Sequence, residues 1–86
     1  MELENQLVRC FESVFPDLTT VQIAQASVKT VPTWDSLAAV TLMTVVEQEF
    51  GVEINPLDLG DLNSYGAMKD YLEYRLNGRM TQRNNP

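Results

Sequence analysis

The sequence contains no histidine and only one cysteine, and these two scarcities exclude several classes of function. Without histidine the chain lacks the base of serine and cysteine triads and the commonest metal ligand. Cys10 has no second cysteine to pair with, so no internal disulfide can form. Asp58 and Asp61 lack the ligand number and spacing of a dedicated calcium site. We therefore predict no metal site and no enzymatic activity of the chain's own.

Long apolar runs and basic residues are also scarce. No stretch approaches the roughly eighteen apolar residues of a membrane span, and the opening MELENQLVRC lacks the apolar centre of a secretion signal. The sequence has twelve acidic and six basic residues, which gives a net charge of −6. Residues 1–74 hold all twelve acids, and such a body repels phosphate backbones. We expect a cytoplasmic protein that binds neither membranes nor nucleic acids.

Apolar spacing points to one small helical domain. The 86 residues are enough for a single domain with a modest core, and no run alternates apolar and polar residues for long. We therefore predict an all-α fold with three main helices, one short helix and a long first loop. Residues 1–76 are expected to form the domain, residues 77–86 a polar, disordered tail, and the protein a monomer.

Local signals place the first helix and the loop after it. The helix is predicted from about Glu2 to Phe15, because its apolar residues form one stripe and Pro16 disfavours helix before it. That stripe consists of Leu3, Leu7, Cys10, Phe11 and Val14. The long connection over residues 16–34 has room for a short helix in TVQIAQA.

The second helix is predicted from Asp35 or Ser36 to Phe50. Asp35 suits the capping position before a helix, and Gly51 suits the position after its last turn. The helix has more apolar residues than one face packed on the core would need. We therefore expect either that the rest of the domain nearly surrounds it or that part of its surface contacts a partner protein. A short helical turn follows in LDLGDL, and the last helix is predicted to begin after Asn63 or Ser64 and to end at Gly78.

Ser36 is a candidate site residue because Asp35 already supplies the helix cap. The serine then falls at the first helical position with its hydroxyl free, facing unpaired N–H groups and the positive end of the helix dipole. That is a favourable place for a phosphate ester. The chain offers no histidine to activate the hydroxyl, so the pattern indicates a serine that another enzyme modifies.

The stretch WDSLAAVTLMTVVEQEFGVEI, Trp34 to Ile54, resembles the centre of an acyl carrier protein. The shared features are the DSL start, Glu47 and Glu49 before Phe50, and the FGVEI exit. Downstream, LNSYGAMKDYLEYRL is similar to the family's last helix. The resemblance covers the chain except its tail and implies a four-helix bundle of acyl-carrier type.

The resemblance also implies a cofactor, partners and site residues. A 4′-phosphopantetheine arm from coenzyme A would be esterified to Ser36, flanked by Asp35 and Leu37, and would carry an acyl group as a thioester. Implied partners are a phosphopantetheinyl transferase and acyl-activating, acyltransferase or synthase enzymes of fatty acid, polyketide or polysaccharide biosynthesis. Partner docking is predicted at Val40, Thr41, Thr44 and Glu47. An acyl cleft is predicted from Leu42, Met43, Val46, Phe50, Ile54 and Met68.

The chain departs from the family pattern on its second helix. Ala38 and Ala39 stand where the family often has an acid, and Thr41 and Thr44 where acids would strengthen the docking surface. Docking is therefore predicted to rest more on Leu37, Val40, Thr44 and Val45 than on charge. A specialised stand-alone carrier fits better than one serving a housekeeping fatty acid synthase.

Two alternatives stay open at this point. One is a D-alanyl, aminoacyl or peptidyl carrier, although PTWDS lacks the glycines and histidine that usually precede the serine in peptidyl carriers. The other is a small helical adaptor that is never modified, which the surplus apolar surface of the second helix supports.

Overall fold

All regular elements in the described residues are helical. The computed structural model describes the backbone of residues 2–84 and the side chains of residues 3–76. In chain order the elements are α1 (Glu2–Val14), α2 (Thr20–Ala24), α3 (Ser36–Phe50), a 3₁₀ helix (Pro56–Asp61) and α4 (Tyr65–Asn84). The all-α prediction, with three main helices and a long first loop, is confirmed.

The long first loop holds the short helix for which the sequence left room. Thr19 precedes α2 and forms a capping box with Gln22, in which Gln22 N–H donates to Thr19 Oγ1 at 3.1 Å and Thr19 N–H to Gln22 Oε1 at 2.9 Å. These two bonds satisfy N–H groups that the start of a helix otherwise leaves free. Ile23 is fully buried and anchors α2 to the core.

Both predicted ends of α3 are confirmed. Asp35 accepts a hydrogen bond from Ala38 N–H at 2.9 Å, which is the geometry of an N-cap. At the other end Gly51 adopts φ 65° and donates its N–H to the Glu47 carbonyl at 2.9 Å. The left-handed conformation carries little steric cost for glycine because it has no Cβ.

Phe11 lies at the centre of the core. Its ring packs against those of Phe15, Trp34 and Tyr65, with centroid separations of 6.1, 5.5 and 5.3 Å. The four α-helices and the residue after the 3₁₀ helix add further buried apolar side chains to this core, including Leu7, Ile23, Leu42, Val46, Leu62, Met68 and Leu72. The aromatic contacts fix Trp34, and with it the chain that enters α3.

Cys10 lies in the same core, as its position on the inner stripe of α1 predicts. Only 2% of the residue is exposed. Burial raises the pKa of its thiol to about 11, and the negative charge of Glu49 acts in the same direction. The thiol is therefore protonated at neutral pH.

The long first loop is tied to the start of α4. Ser27 and Ser64 form an isolated antiparallel bridge, in which Val28 N–H donates to the Asn63 carbonyl and Tyr65 N–H to the Ala26 carbonyl, both at 3.0 Å. These bonds hold the loop and the segment after the 3₁₀ helix side by side near the start of α3.

The last helix, α4, begins where one of the two predicted caps stands and continues past its predicted end. Ser64 Oγ accepts a hydrogen bond from Ala67 N–H at 3.0 Å, so Ser64 is the cap. The predicted end at Gly78 is wrong, because a glycine inside a helix costs only about 1 kcal/mol and does not by itself terminate it. The domain boundary after residue 76 and the disorder of the tail stay predictions, and residues 85–86 lie outside the described chain.

Candidate functional site

Ser36 is the first residue of α3 and is exposed to solvent. Within the described side chains its hydroxyl has no hydrogen-bond partner, since Asp35 serves as the cap of the helix. The hydroxyl is therefore free for modification and is reachable from outside. Its position at the positive end of α3 favours a phosphate ester, as the sequence predicts.

A groove of about 510 Å³ opens beside Ser36. Its walls come from the first loop, the start of α3 and the 3₁₀ helix, and its lining residues are Val28, Trp34, Asp35, Ser36, Ala39, Val40, Leu59, Gly60 and Asn63. Four of these side chains are aliphatic, so the groove suits a ligand with an apolar body. Val28, Leu59 and Gly60 were not predicted as site residues, because no periodic pattern links their segments to Ser36.

Trp34 lines this groove with part of its side chain, but its indole nitrogen lies in the interior. The residue is 5% exposed, and its indole nitrogen is buried with no hydrogen-bond partner among the described residues. Its ring packs against those of Phe11 and Phe15, so Trp34 is an anchor of the core. The unpaired indole N–H in the interior is a feature that only the packed structure reveals.

The outer face of α3 next to Ser36 is apolar. Leu37 is 76% exposed and Val40 is 45% exposed. Thr41 and Thr44 are also exposed, but their hydroxyls donate to the carbonyls of Leu37 and Val40, four residues earlier, at 2.9 and 3.1 Å. Residues 36–46 carry no charge. The predicted docking residues Val40, Thr41 and Thr44 therefore share one uncharged surface.

Glu47, the fourth predicted docking residue, has a structural contact. It is half-buried, and its carboxylate accepts a hydrogen bond from Ile54 N–H at 2.7 Å. That bond holds the segment after α3 against the helix. A role for Glu47 in docking stays a prediction.

Replacing Glu47 with alanine is expected to lower the free energy of unfolding by about 1–3 kcal/mol, because the Ile54 N–H loses its acceptor. Urea denaturation measures the change. Glu47→Gln keeps an acceptor oxygen and should recover part of the loss. The control Glu53→Ala removes an exposed carboxylate and should change little. Equal effects of Glu47→Ala and Glu53→Ala would contradict the structural role.

The six predicted cleft residues do not line the groove at Ser36. Leu42, Val46 and Met68 are buried in the core, and Met43 and Phe50 are half-buried against it. Ile54 is buried and lines a separate cavity of about 700 Å³ between the end of α3 and α4. That cavity is more polar, because Tyr71 there bonds to Asp58 and Arg75. Whether these six residues receive an acyl chain stays a prediction.

A comparison with protein families finds a match to the part of the chain that contains Ser36. Residues 34–72 match the family described as phosphopantetheine attachment site. The match covers 39 of the 86 residues and includes α3, the 3₁₀ helix and the first part of α4. It is consistent with the acyl carrier protein family that the resemblance predicted.

The attachment segment is a site for covalent 4′-phosphopantetheine, so the predicted cofactor is confirmed. The match supports a phosphopantetheine-carrying carrier protein. Carrier domains of this kind are modified by a phosphopantetheinyl transferase, interact with biosynthetic enzymes and are generally not catalysts. Neither the curated proteins nor the solved structures compared with the chain give a significant match.

None of the helices in the described residues combines the length and the apolar character that crossing a membrane requires.

Proposed function

We propose that Ser36 is the residue that carries the 4′-phosphopantetheine arm. The observation that carries this proposal is the exposed Ser36 hydroxyl at the start of α3, which has no hydrogen-bond partner among the described residues. Ser36 also lies within the matched attachment segment. Asp35 caps the helix and leaves the serine oxygen free to form the phosphate ester.

The residues around Ser36 fit such a group. The free N–H groups and dipole at the start of α3 favour its phosphate, and the aliphatic walls of the groove suit the apolar part of its arm. The thiol at the end of the arm supplies the nucleophile that holds an acyl group as a thioester. The chain positions the tethered group near successive enzymes, which raises its effective concentration there.

The proposed partners are the transferase and acyl-activating, acyltransferase or synthase enzymes of one specialised pathway. Support comes from the surface of Leu37, Val40, Thr41 and Thr44, which is exposed, apolar and without charge. A partner that binds this surface must have an apolar patch of its own. Binding of such a partner should then depend only weakly on salt concentration. Residues 36–46 contain no acidic side chain whose attraction to a basic partner could be screened by salt.

Leu37→Ala is expected to raise the KM of a phosphopantetheinyl transferase for the protein about tenfold. Burying an exposed leucine contributes about 1.5–3 kcal/mol, and 1.4 kcal/mol is a factor of ten in binding. Initial rates of modification at several protein concentrations measure the change. The control Val21→Ala shortens another exposed apolar side chain, on α2, and should leave KM unchanged. A KM for Leu37→Ala equal to that of the control would rule out this docking surface.

Intact-mass measurement tests the proposed attachment. The protein is incubated with coenzyme A and a broad-specificity phosphopantetheinyl transferase, and we expect every chain to gain one phosphopantetheinyl group. Fragmentation should locate the added mass on Ser36. A chain that stays at its original mass, or that carries the group on another residue, would refute the proposal.

A further inference from the structure

The 3₁₀ helix Pro56–Asp61 has little hold on the interior of the domain. None of its residues is buried, and Leu57 is 88% exposed. The buried side chains that flank it belong to Ile54 before the helix and Leu62 after it. A segment with little buried apolar surface opens locally at a lower cost in free energy than the core does. The 3₁₀ helix is therefore a segment that can open while the α-helices stay packed.

The backbone N–H groups of the 3₁₀ helix bond within their own segment. Asp58 N–H donates to the Asn55 carbonyl at 2.8 Å, and Leu62 N–H donates to the Leu59 carbonyl at 3.1 Å. Leu57 N–H donates to the side chain of Asn55 at 2.9 Å. These bonds stabilise the turn itself, but they do not attach it to the rest of the domain.

One side-chain hydrogen bond within residues 3–76 joins the 3₁₀ helix to α4. The Tyr71 hydroxyl donates to Asp58 Oδ2 at 3.3 Å. Arg75 Nη1 donates to the same hydroxyl at 2.6 Å, and the Arg75 guanidinium carbon lies 5.4 Å from the centroid of the Tyr71 ring. Because the hydroxyl accepts from a cation, its own proton is directed to the carboxylate. We refer to Asp58, Tyr71 and Arg75 as the latch.

The 3₁₀ helix contributes to the walls of two cavities. Leu59 and Gly60 line the groove beside Ser36. Asp58 and Tyr71 line the cavity of about 700 Å³ between the end of α3 and α4. Since Asp58 and Leu59 are neighbours in one short helix, a movement that separates Asp58 from Tyr71 also displaces a wall of the groove.

We propose that Tyr71 is a positioning residue for the Ser36 site. Through its bond to Asp58, Tyr71 holds the 3₁₀ helix closed and thereby fixes one wall of the groove. Release of the latch lets the 3₁₀ helix open as a unit, so the shape of the groove is controlled from a second cavity. This inference concerns the unmodified chain, and it stands or falls independently of where the arm is attached.

Tyr71→Phe removes the latch hydroxyl and keeps the ring. Amide hydrogen exchange of the unmodified protein, followed by nuclear magnetic resonance, reports on the Asp58 and Leu62 amides. We expect both to exchange about tenfold faster, the usual effect of losing a hydrogen bond to a charged group. The matched control Tyr74→Phe removes a hydroxyl from a 76% exposed ring that lines the same cavity, and it should leave these rates unchanged. Equal rates in the two variants would overturn the inference.

Methyl signals of Val28 and Val40 test whether the latch acts on the groove. These residues form walls of the groove outside the 3₁₀ helix. We expect their signals to shift in Tyr71→Phe and to keep their wild-type positions in Tyr74→Phe. Faster exchange without any methyl shift would show that the helix opens without changing the groove, which would also overturn the proposal.

The dependence of exchange on urea tests whether the 3₁₀ helix opens by itself. A local opening exposes little surface, so the Asp58 and Leu62 amides should exchange at nearly constant rates in urea below the unfolding transition. The amide of the core residue Leu42, within α3 and fully buried, should instead exchange faster as urea is added. A common urea dependence would mean that only global unfolding exposes these amides, and it would contradict a separately opening helix.

A double-mutant cycle tests whether Asp58 and Tyr71 act as one unit. Asp58→Ala should accelerate exchange of the Leu62 amide as much as Tyr71→Phe does, and combining the two substitutions should add little. Asp58→Asn retains an acceptor oxygen and should recover part of the protection. Independent effects that multiply to about a hundredfold in the double variant would show that the two side chains are not partners, and the latch would be refuted.

Discussion

Ser36→Ala is expected to gain no mass when incubated with coenzyme A and the transferase, whereas the wild-type chain gains one phosphopantetheinyl group. The substitution removes the oxygen that forms the phosphate ester, and alanine offers no replacement. The effect is therefore complete loss rather than a slower reaction, and intact-mass measurement reads it directly.

The variant should remain folded, which makes the loss of modification interpretable. The Ser36 hydroxyl has no hydrogen-bond partner among the described side chains, and Asp35 still caps α3. We expect the free energy of unfolding to change by no more than about 0.5 kcal/mol. Ser13→Ala is the matched control, since it removes an exposed serine hydroxyl from α1 and should be modified normally. A full mass gain on Ser36→Ala would show that the arm is attached elsewhere.

Phe11→Ala is expected to destabilise the fold by about 3–5 kcal/mol, the usual range for removing a buried phenylalanine. Phe11 is fully buried and touches the rings of Phe15, Trp34 and Tyr65, so the cavity would open at the centre of the core. Small domains are stable by roughly 0.05–0.15 kcal/mol per residue. The loss is therefore a large share of the total stability, and a sizeable unfolded population is expected at room temperature.

Urea denaturation followed by circular dichroism measures the effect of Phe11→Ala. The control Tyr74→Ala also removes an aromatic ring, but this ring is 76% exposed and its loss should cost little. Because Phe11 supports Trp34, partial unfolding should also slow the modification of Ser36. Equal stability of the Phe11 and Tyr74 variants would contradict the central place of Phe11 in the core.

The sequence predicts those parts of the fold that depend on local chemistry. Asp35 and Gly51 define both ends of α3 because a capping carboxylate and a left-handed glycine act within a few residues of their own position. The apolar stripe of α1 is equally local, and Leu7, Cys10 and Phe11 are buried as their spacing indicates. Ser36 becomes a candidate for the same reason, since the neighbouring cap frees its hydroxyl.

Other features depend on contacts between distant segments and could not be predicted. The bridge between Ser27 and Ser64 holds the first loop beside the segment that follows the 3₁₀ helix. This pairing brings the loop close to Leu59 and Gly60, and these segments together form walls of the groove. Glu47 looks like a docking acid in sequence, but its bond to Ile54 N–H appears only when the chain turns after α3. At Gly78 a local signal misleads, because the cost of one glycine is too small to end a helix by itself.

The burial of Cys10 bears on how securely a carrier of this design keeps its cargo. A thioester is lost by exchange when a second thiolate attacks it, and thiolates rather than thiols are the attacking species. The chain has one cysteine, and that side chain is enclosed in the core with its pKa raised to about 11. The polypeptide therefore contributes no competing acceptor, and thiol-directed labels added to the folded holo protein should report on the arm alone.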